Sequence, residues 1–307
     1  MKNLNETGRA VRERAVRGHA VPCWLAGFLG ILVIPAMFAM DWPSEEAVMT
    51  ANFGGNDNGL PRVEIIFEGE GPVRAVAEGE VIFVNTPRSN ASRIPSPMGA
   101  WVAIDHGDGL ISIYSHLEDP PAIPVPDHPD QGRVIAAAGQ SGWSNRKGFS
   151  FGFFDRKERQ WINPSMIISP LPDTMTPVIH SVELISADGR VFNPASTKNI
   201  NQGRYTVSVY ATDTRLNAQE SPLAPYRILS SVNGQELGAL AFETYSVRDG
   251  VLMVFRNGMI PVRQVYARHP AFEIGDLWFT RGQAALEIIA QDILGNSRNV
   301  TFRLQID

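Results

Sequence analysis

The period of the apolar residues constrains this chain more than any other feature. In residues 204–213 (RYTVSVYATD), Tyr205, Val207, Val209 and Ala211 alternate with Arg204, Thr206, Ser208 and Tyr210. In residues 299–306 (NVTFRLQI), Val300, Phe302, Leu304 and Ile306 alternate with Asn299, Thr301, Arg303 and Gln305. Successive side chains on a strand point to opposite faces, so these runs predict half-buried antiparallel strands. From residue 62 onward the runs RVEIIFE, PVRAVAEGEVIFV, AWVAID, LISIYSHL, RVIAAAG and FSFGFF are rich in β-branched and aromatic residues. They lack helical spacing and are separated by Gly and Pro, so they too read as strands. The expected class is all-β. With 307 residues, 44% hydrophobic and 19% charged, the chain has the length for two domains and the apolar content to fill their cores.

The first 40 residues read differently. Lys2, Arg9, Arg12, Arg14 and Arg17 outnumber Glu6 and Glu13, and residues 23–40 carry no charge. A basic arm before an apolar run reads as an export signal or an N-terminal membrane anchor, and both readings stand. Pro35 interrupts the run, which favours the cleaved signal. The expected place is outside the cytoplasm, in the periplasm or cell envelope, with membrane contact only through residues 23–40 if they are retained. Cys23 is the single cysteine, so no intrachain disulfide forms. A net charge of −5 argues against nucleic acid as a partner. Residues 41–61 are polar and rich in Gly and Asn, and read as a loop leading into the first domain, 62–167. Residues 168–177 hold Pro170, Pro172 and Pro177 and read as a linker between two units with separate cores. Residues 178–307 are expected to form an immunoglobulin-like β-sandwich, with Gly295-Asn296 turning the last hairpin.

Within the first domain, GPVRAVAEGEVIFV, then GAWVAIDHGDGLISIYSHLE, then VIAAAGQSGWS, then GFSFGFFDRKERQWINP follow one another in order. Residues 71–164 thereby resemble the lysostaphin/LytM-type zinc endopeptidases of peptidoglycan, including the "Y.HL" strand at Tyr114 and His116 and the closing Asn163-Pro164. The resemblance implies a β-sheet domain of the duplicated hybrid motif type. It also implies a zinc ion held by two histidines and an aspartate, which brings a bound water to a pKa of about 7. The ligand positions have changed here. The family's "HLH" triplet falls on Ser150, Phe151 and Gly152, and its "H…D" pair falls near Arg62 and Ile66. No histidine lies between His19 and His106. The resemblance therefore implies a degenerate member without a metal site. Its cofactor would be none, and zinc is expected only if displaced ligands restore an active endopeptidase.

The candidate binding groove comprises Arg62, Tyr114, His116, Ser150, Gly152 and Phe154, with no catalytic residue assigned beyond the surviving His116. Several other residues have a functional and a structural reading. His106, in the run Asp105-His106-Gly107-Asp108-Gly109, reads as part of a hairpin turn rather than a metal loop, and His128 as an exposed loop residue. Ser141 and Ser150 lack a G-x-S-x-G elbow and read as ordinary turn and strand serines. Arg62, Arg146 and Lys147 either bind the carboxylates of a wall polymer or are solvated charges. Trp143 and Trp161 either stack on a sugar ring or pack at the rim. The expected function is a non-catalytic module that binds peptidoglycan or a cell-wall hydrolase. The alternatives are a zinc endopeptidase with displaced ligands and a structural or adhesion protein of the envelope.

Overall fold

A computed structural model describes residues 40–87, 96–121, 123–214 and 222–307. The basic arm and nearly all of the apolar run, residues 1–39, lie outside the described residues. The first half carries β1 (Val48–Ala51), β2 (Asn56–Asp57), β3 (Leu60–Pro61), β4 (Ile65–Glu68), β5 (Pro72–Arg74), β6 (Glu80–Asn85), β7 (Ala100–Asp105), β8 (Leu110–Leu117), β9 (Val134–Ala137), β10 (Gly148–Asp155) and β11 (Gln160–Ile162). The second half carries β12 (Val178–Ser186), β13 (Val191–Phe192), β14 (Asn199–Ile200), β15 (Gly203–Thr212), β16 (Arg227–Val232), β17 (Gln235–Arg248), β18 (Val251–Arg256), β19 (Met259–Pro261), a single turn α1 (Val262–Val265), β20 (Phe272–Phe279), β21 (Gly282–Gln291) and β22 (Ser297–Ile306). The architecture is all-β, with one sheet domain followed by a second β domain, as the alternation predicts.

Strand β10 organises the first domain. It pairs with β8 through Ser150↔Ser115 and Gly152↔Ile113, with β4 through Ser150↔Ile66, and with β11 through Phe154↔Trp161. Phe149, Phe151 and Phe153 share its inner face and are buried together with Ile65, Phe67, Val102, Ile104 and Tyr114. Ser150, Gly152 and Phe154 occupy the other face, as the period of two requires. In the second domain, β13, β12, β15 and β20 form one sheet, which packs on β22, β21, β16 and β17. The alternating residues read from the sequence supply this core: Tyr205, Val207, Val209, Ala211, Leu304 and Ile306 are all buried in it.

Two features depart from the sequence reading. The segment expected as a loop, 41–61, contains β1, β2 and β3, and its middle is a strap across the second domain. Phe53 is buried in that domain's core and stacks on Tyr245 at 4.7 Å. The side chain of Asn52 donates to the carbonyl of Ala224 and accepts from its N–H, both at 2.8 Å. Tyr266 donates to the carbonyl of Gly54 at 2.7 Å. Gly54 is required there, because its φ is +85° and a Cβ would lie 2.5 Å from Cγ of Phe242. Polar composition suggested a loop, but a single phenylalanine anchors the segment.

The second departure is at the junction of the two domains. Strand β11 pairs with β10 on one side and with β17 on the other, through Gln160↔Ser246, Trp161↔Tyr245 and Ile162↔Thr244. One hydrogen-bonded sheet thus runs through both domains. Asn163, of the Asn-Pro pair, donates its backbone N–H to Glu243 and its side-chain Nδ2 to the carbonyl of Phe242 at 2.8 Å, and caps the turn Pro164–Met166. The proline-rich segment is also tied down: Trp42 donates to Ser169, and Asn296 donates to the carbonyl of Asp173.

Two consequences are measurable. Urea unfolding should follow one cooperative transition, coincident by fluorescence and far-UV circular dichroism, and a protease nick within 169–176 should leave the two pieces associated on gel filtration. Phe53→Ala, although made upstream of the first domain, should lower stability by about 3–5 kcal/mol by opening a cavity in the second.

Candidate functional site

The outer face of β10 and the loop before it border a cleft of about 510 Å³. Its lining includes Thr50, Asp57, Arg62, Ile66, Glu68, His116, Trp143, Arg146 and Ser150. Of the six groove residues expected from sequence, the structure brings Arg62, His116 and Ser150 together here. Three others stand elsewhere. Tyr114 is fully buried on the inner face, against Phe151, where its hydroxyl accepts from the N–H of Val76 at 3.0 Å and from Ser112. The alternation of β8 dictates this placement, since Tyr114 pairs with Phe151 and not with Ser150. Phe154 lies further along the outer face, edge-on to Trp161 at 5.4 Å, outside the cleft lining. Gly152 is covered.

That cover is the main finding at the family's metal position. A Cβ added at Gly152 would lie 3.2 Å from Cζ3 of Trp161, 3.2 Å from Cγ of Glu64 and 3.4 Å from the carbonyl oxygen of Val63. Any side chain at 152 would therefore be crowded by the indole of Trp161 and the side chain of Glu64, which would have to give by a few tenths of an ångström. Trp161 has this position because β11 is held between β10 and β17, and it packs on the second domain's core. The residues present do not fit a zinc ion. Position 152 has no donor, Ser150 is a hydroxyl, and the segment 60–66 holds no histidine.

Glu64 is the site residue that the sequence reading missed. The "H…D" pair had been placed near Arg62 and Ile66, but the carboxylate that faces Ser150 and Gly152 belongs to Glu64. The signal was present in RVEIIFE, where Val63, Ile65 and Phe67 form one face and Arg62, Glu64, Ile66 and Glu68 the other. Burial pushes the Glu64 carboxyl above its ordinary value, while the Ser150 hydroxyl and the Arg62 guanidinium pull it down less strongly. Arg62 itself pairs with Asp57 at 3.0 Å, and Arg146 with Glu68 at 2.7 Å. Both are part-exposed pairs of the kind worth only about 0–1 kcal/mol, so a ligand carboxylate can compete for either guanidinium.

His116 sits at a bulge of β8. The register shifts between Ala100↔Leu117 and Val102↔Tyr114, and His116 adopts φ +63°, in the left-handed region. Such a conformation costs about 1–3 kcal/mol in a non-glycine residue, and bulges re-aim side chains. Here it turns the imidazole into the cleft lining. Nδ1 of His116 donates to the carbonyl of Ser141 at 3.0 Å, which leaves Nε2 as the edge that can meet a ligand. Ser141 is structural: its hydroxyl donates to Leu117 and accepts from the N–H of Ala100. Ser115, opposite Ser150 in the ladder, is buried with no hydrogen-bond partner for its hydroxyl among the described residues.

The remaining candidates resolve simply. His106 stands at the Asp105–Leu110 turn, as expected, with Nδ1 on the carbonyl of Glu78 and Nε2 on Ser112, both at 2.7 Å; burial lowers its pKa. His128 is exposed. Lys147 pairs with Glu70 at 2.9 Å. Trp143 is 80% exposed, so it does not pack at the rim. Among the described residues, the one group of three metal-type donors is Asp173, Asp213 and Asp292, whose oxygens lie within 4.8 Å of one another. An all-carboxylate set suits hard cations rather than zinc. Both carboxylate oxygens of Asp292 already accept from Asn296.

The raised Glu64 pKa has a defined sign. The folded state holds this proton to higher pH than the unfolded chain does. The carboxyl therefore favours folding most below its ordinary value of 4.5, and that contribution is lost as pH rises through the raised value. Glu64→Gln should melt higher than wild type at about pH 7, and the gap should close as pH falls toward about 4. Melting curves across this range check the sign.

The chain was compared with known proteins. Residues 62–164 match the family model "Peptidase family M23", and a second model, which carries no description, matches residues 176–307. No curated protein matches the chain. Among solved structures, the chain is similar to the catalytic domain of the prophage-encoded M23 protein EnpA from Enterococcus faecalis, at 21% identity over 41% of this chain and 95% of that one, with a TM-score of 0.34. It is similar to the lysostaphin catalytic domain from Staphylococcus simulans, at 21% identity over 34% of this chain and 76% of that one, with a TM-score of 0.28. A third similar structure, the SpoIIQ–SpoIIIAH pore-forming complex, shares 18% identity over 42% of this chain and 90% of that one, with a TM-score of 0.34. Residues 62–164 thus match the model of peptidase family M23.

Proposed function

We propose that this chain is an exported, non-catalytic member of the M23 fold whose cleft binds the peptide part of peptidoglycan in the cell envelope. The observation that carries the proposal is the crowded space above Gly152. Zinc chemistry needs three protein donors converging on an open fourth position, whereas Trp161 and Glu64 crowd the volume one donor would need. What remains is a polar cleft with two exchangeable guanidinium groups and a re-aimed histidine. A left-handed backbone at a non-glycine residue costs stability, and such strain is kept at many binding sites. Wall peptides carry free carboxylates that suit Arg62 and Arg146. A wall hydrolase offering an acidic peptide to the same cleft is the second partner this chemistry admits.

Metal content, digestion and binding test the reading. The purified full-length chain should retain no stoichiometric zinc after dialysis and should not solubilise peptidoglycan. One equivalent of zinc together with chelator-sensitive digestion would establish the displaced-ligand enzyme instead. Introducing Ser150→His with Gly152→His should yield neither metal binding nor activity, and should destabilise the domain against Trp161. For the binding role, Arg62→Ala with His116→Ala should weaken retention on insoluble peptidoglycan at least tenfold without changing the far-UV spectrum. Unchanged retention would place binding outside the cleft.

A further inference from the structure

We infer that Trp143 is a stacking platform for a pyranose ring, so that a glycan lies across the cleft whose binding role is proposed above. Trp143 is the most exposed of the large apolar side chains in the described residues, at 80%, and it stands on the cleft wall. Its backbone is held in place. The backbone N–H of Trp143 donates to the carbonyl of Pro97 at 2.9 Å. The preceding Gly142, at φ +69°, lies so close to the backbone of Pro97 and Gly99 that no Cβ fits. Ser141, one residue further back, is locked by hydrogen bonds to Leu117, Ala100 and His116. With the backbone before the indole fixed in this way, a ligand that covers Trp143 costs little loop ordering.

The surroundings select the ligand class. Trp143 and Lys147 line both the main cleft and a second depression beyond the loop, so the indole is a ridge between two grooves. The side chains flanking the ridge are polar: Ser144, Asn145 and Arg146 on one side, Glu118 and Gln140 on the other. An apolar peptide anchor needs an apolar pocket, and this ridge offers a single apolar face with hydrogen-bonding groups around it. A pyranose ring has the matching form. Its C–H face is drawn to the negative face of the indole, and its hydroxyls or acetamido groups point outward to amide, guanidinium and carboxylate side chains. Grooves on both sides of the ridge suit a chain of sugars rather than one.

The test uses the full-length chain with three soluble probes: an N-acetylglucosamine tetramer, a glucose tetramer and a soluble wall peptide, each titrated by calorimetry against wild type, Trp143→Ala and Trp143→Phe. The N-acetylglucosamine tetramer should bind wild type, bind Trp143→Ala at least tenfold more weakly, and bind Trp143→Phe within about threefold of wild type. Equal binding of the glucose tetramer would show that the ring face alone is read, and preference for the acetylated tetramer would point to an amino-sugar strand; both support the platform. Binding of neither sugar, or sugar binding unchanged in Trp143→Ala, overturns it. The peptide separates this result from the cleft reading: peptide binding without sugar binding removes only the platform, whereas sugar binding without peptide binding removes the peptide-binding function and leaves the platform standing.

Discussion

Strand β11 is three residues long, and the rest of the molecule depends on its two ladders. On one side it completes the sheet of the first domain through Phe153↔Ile162 and Phe154↔Trp161; on the other it pairs with β17 of the second. This fixes Trp161 over Gly152 and makes the two domains one hydrogen-bonded sheet. The indole that stands against Gly152 also packs on the second domain's core, so moving it would mean disturbing the junction as well.

The same junction explains the cost structure of the cleft. Glu64 keeps a carboxylate beside Ser150, and burial opposes its charge, with Arg62 supplying part of the compensation. His116 is held in a left-handed conformation, and its Nδ1 is committed to the carbonyl of Ser141. Both features cost stability: a neutral side chain at 64 would avoid the burial of a charge, and a glycine at 116 would avoid the left-handed strain, at the loss of the hydrogen bond to Ser141. The proposed binding role gives a reason for keeping them.

Much of the fold was legible in the sequence, and the reasons are local. The alternation in Tyr205–Ala211 and Val300–Ile306 identified both the strands and their buried faces, because a period of two leaves little freedom over which side turns inward. The placement of Ser150 and Gly152 on the face opposite the three phenylalanines was likewise readable residue by residue. What escaped was long-range. Phe53 sits in a polar stretch, and nothing near it indicates that it fills the other domain's core. Trp161 gives no local sign that it covers Gly152, since that depends on pairing with β17, more than 80 residues away. Tyr114 was misplaced for a different reason: its neighbour His116 lies in the cleft, and strict alternation would put Tyr114 there too, but the bulge at His116 breaks the phase. Glu64 was passed over because the pattern was aligned by spacing, whereas the facing carboxylate is decided by strand register.

In the proposed reading, Trp161 and Glu64 leave no room for zinc coordination beside Gly152. Anomalous diffraction at the zinc edge from crystals of the full-length chain soaked in zinc tests it most directly. The account predicts no ordered peak among Glu64, Ser150, Gly152 and His116, with Trp161 in van der Waals contact with Gly152. A fully occupied peak there, bound by Glu64 and His116 with the indole of Trp161 swung aside, would contradict it.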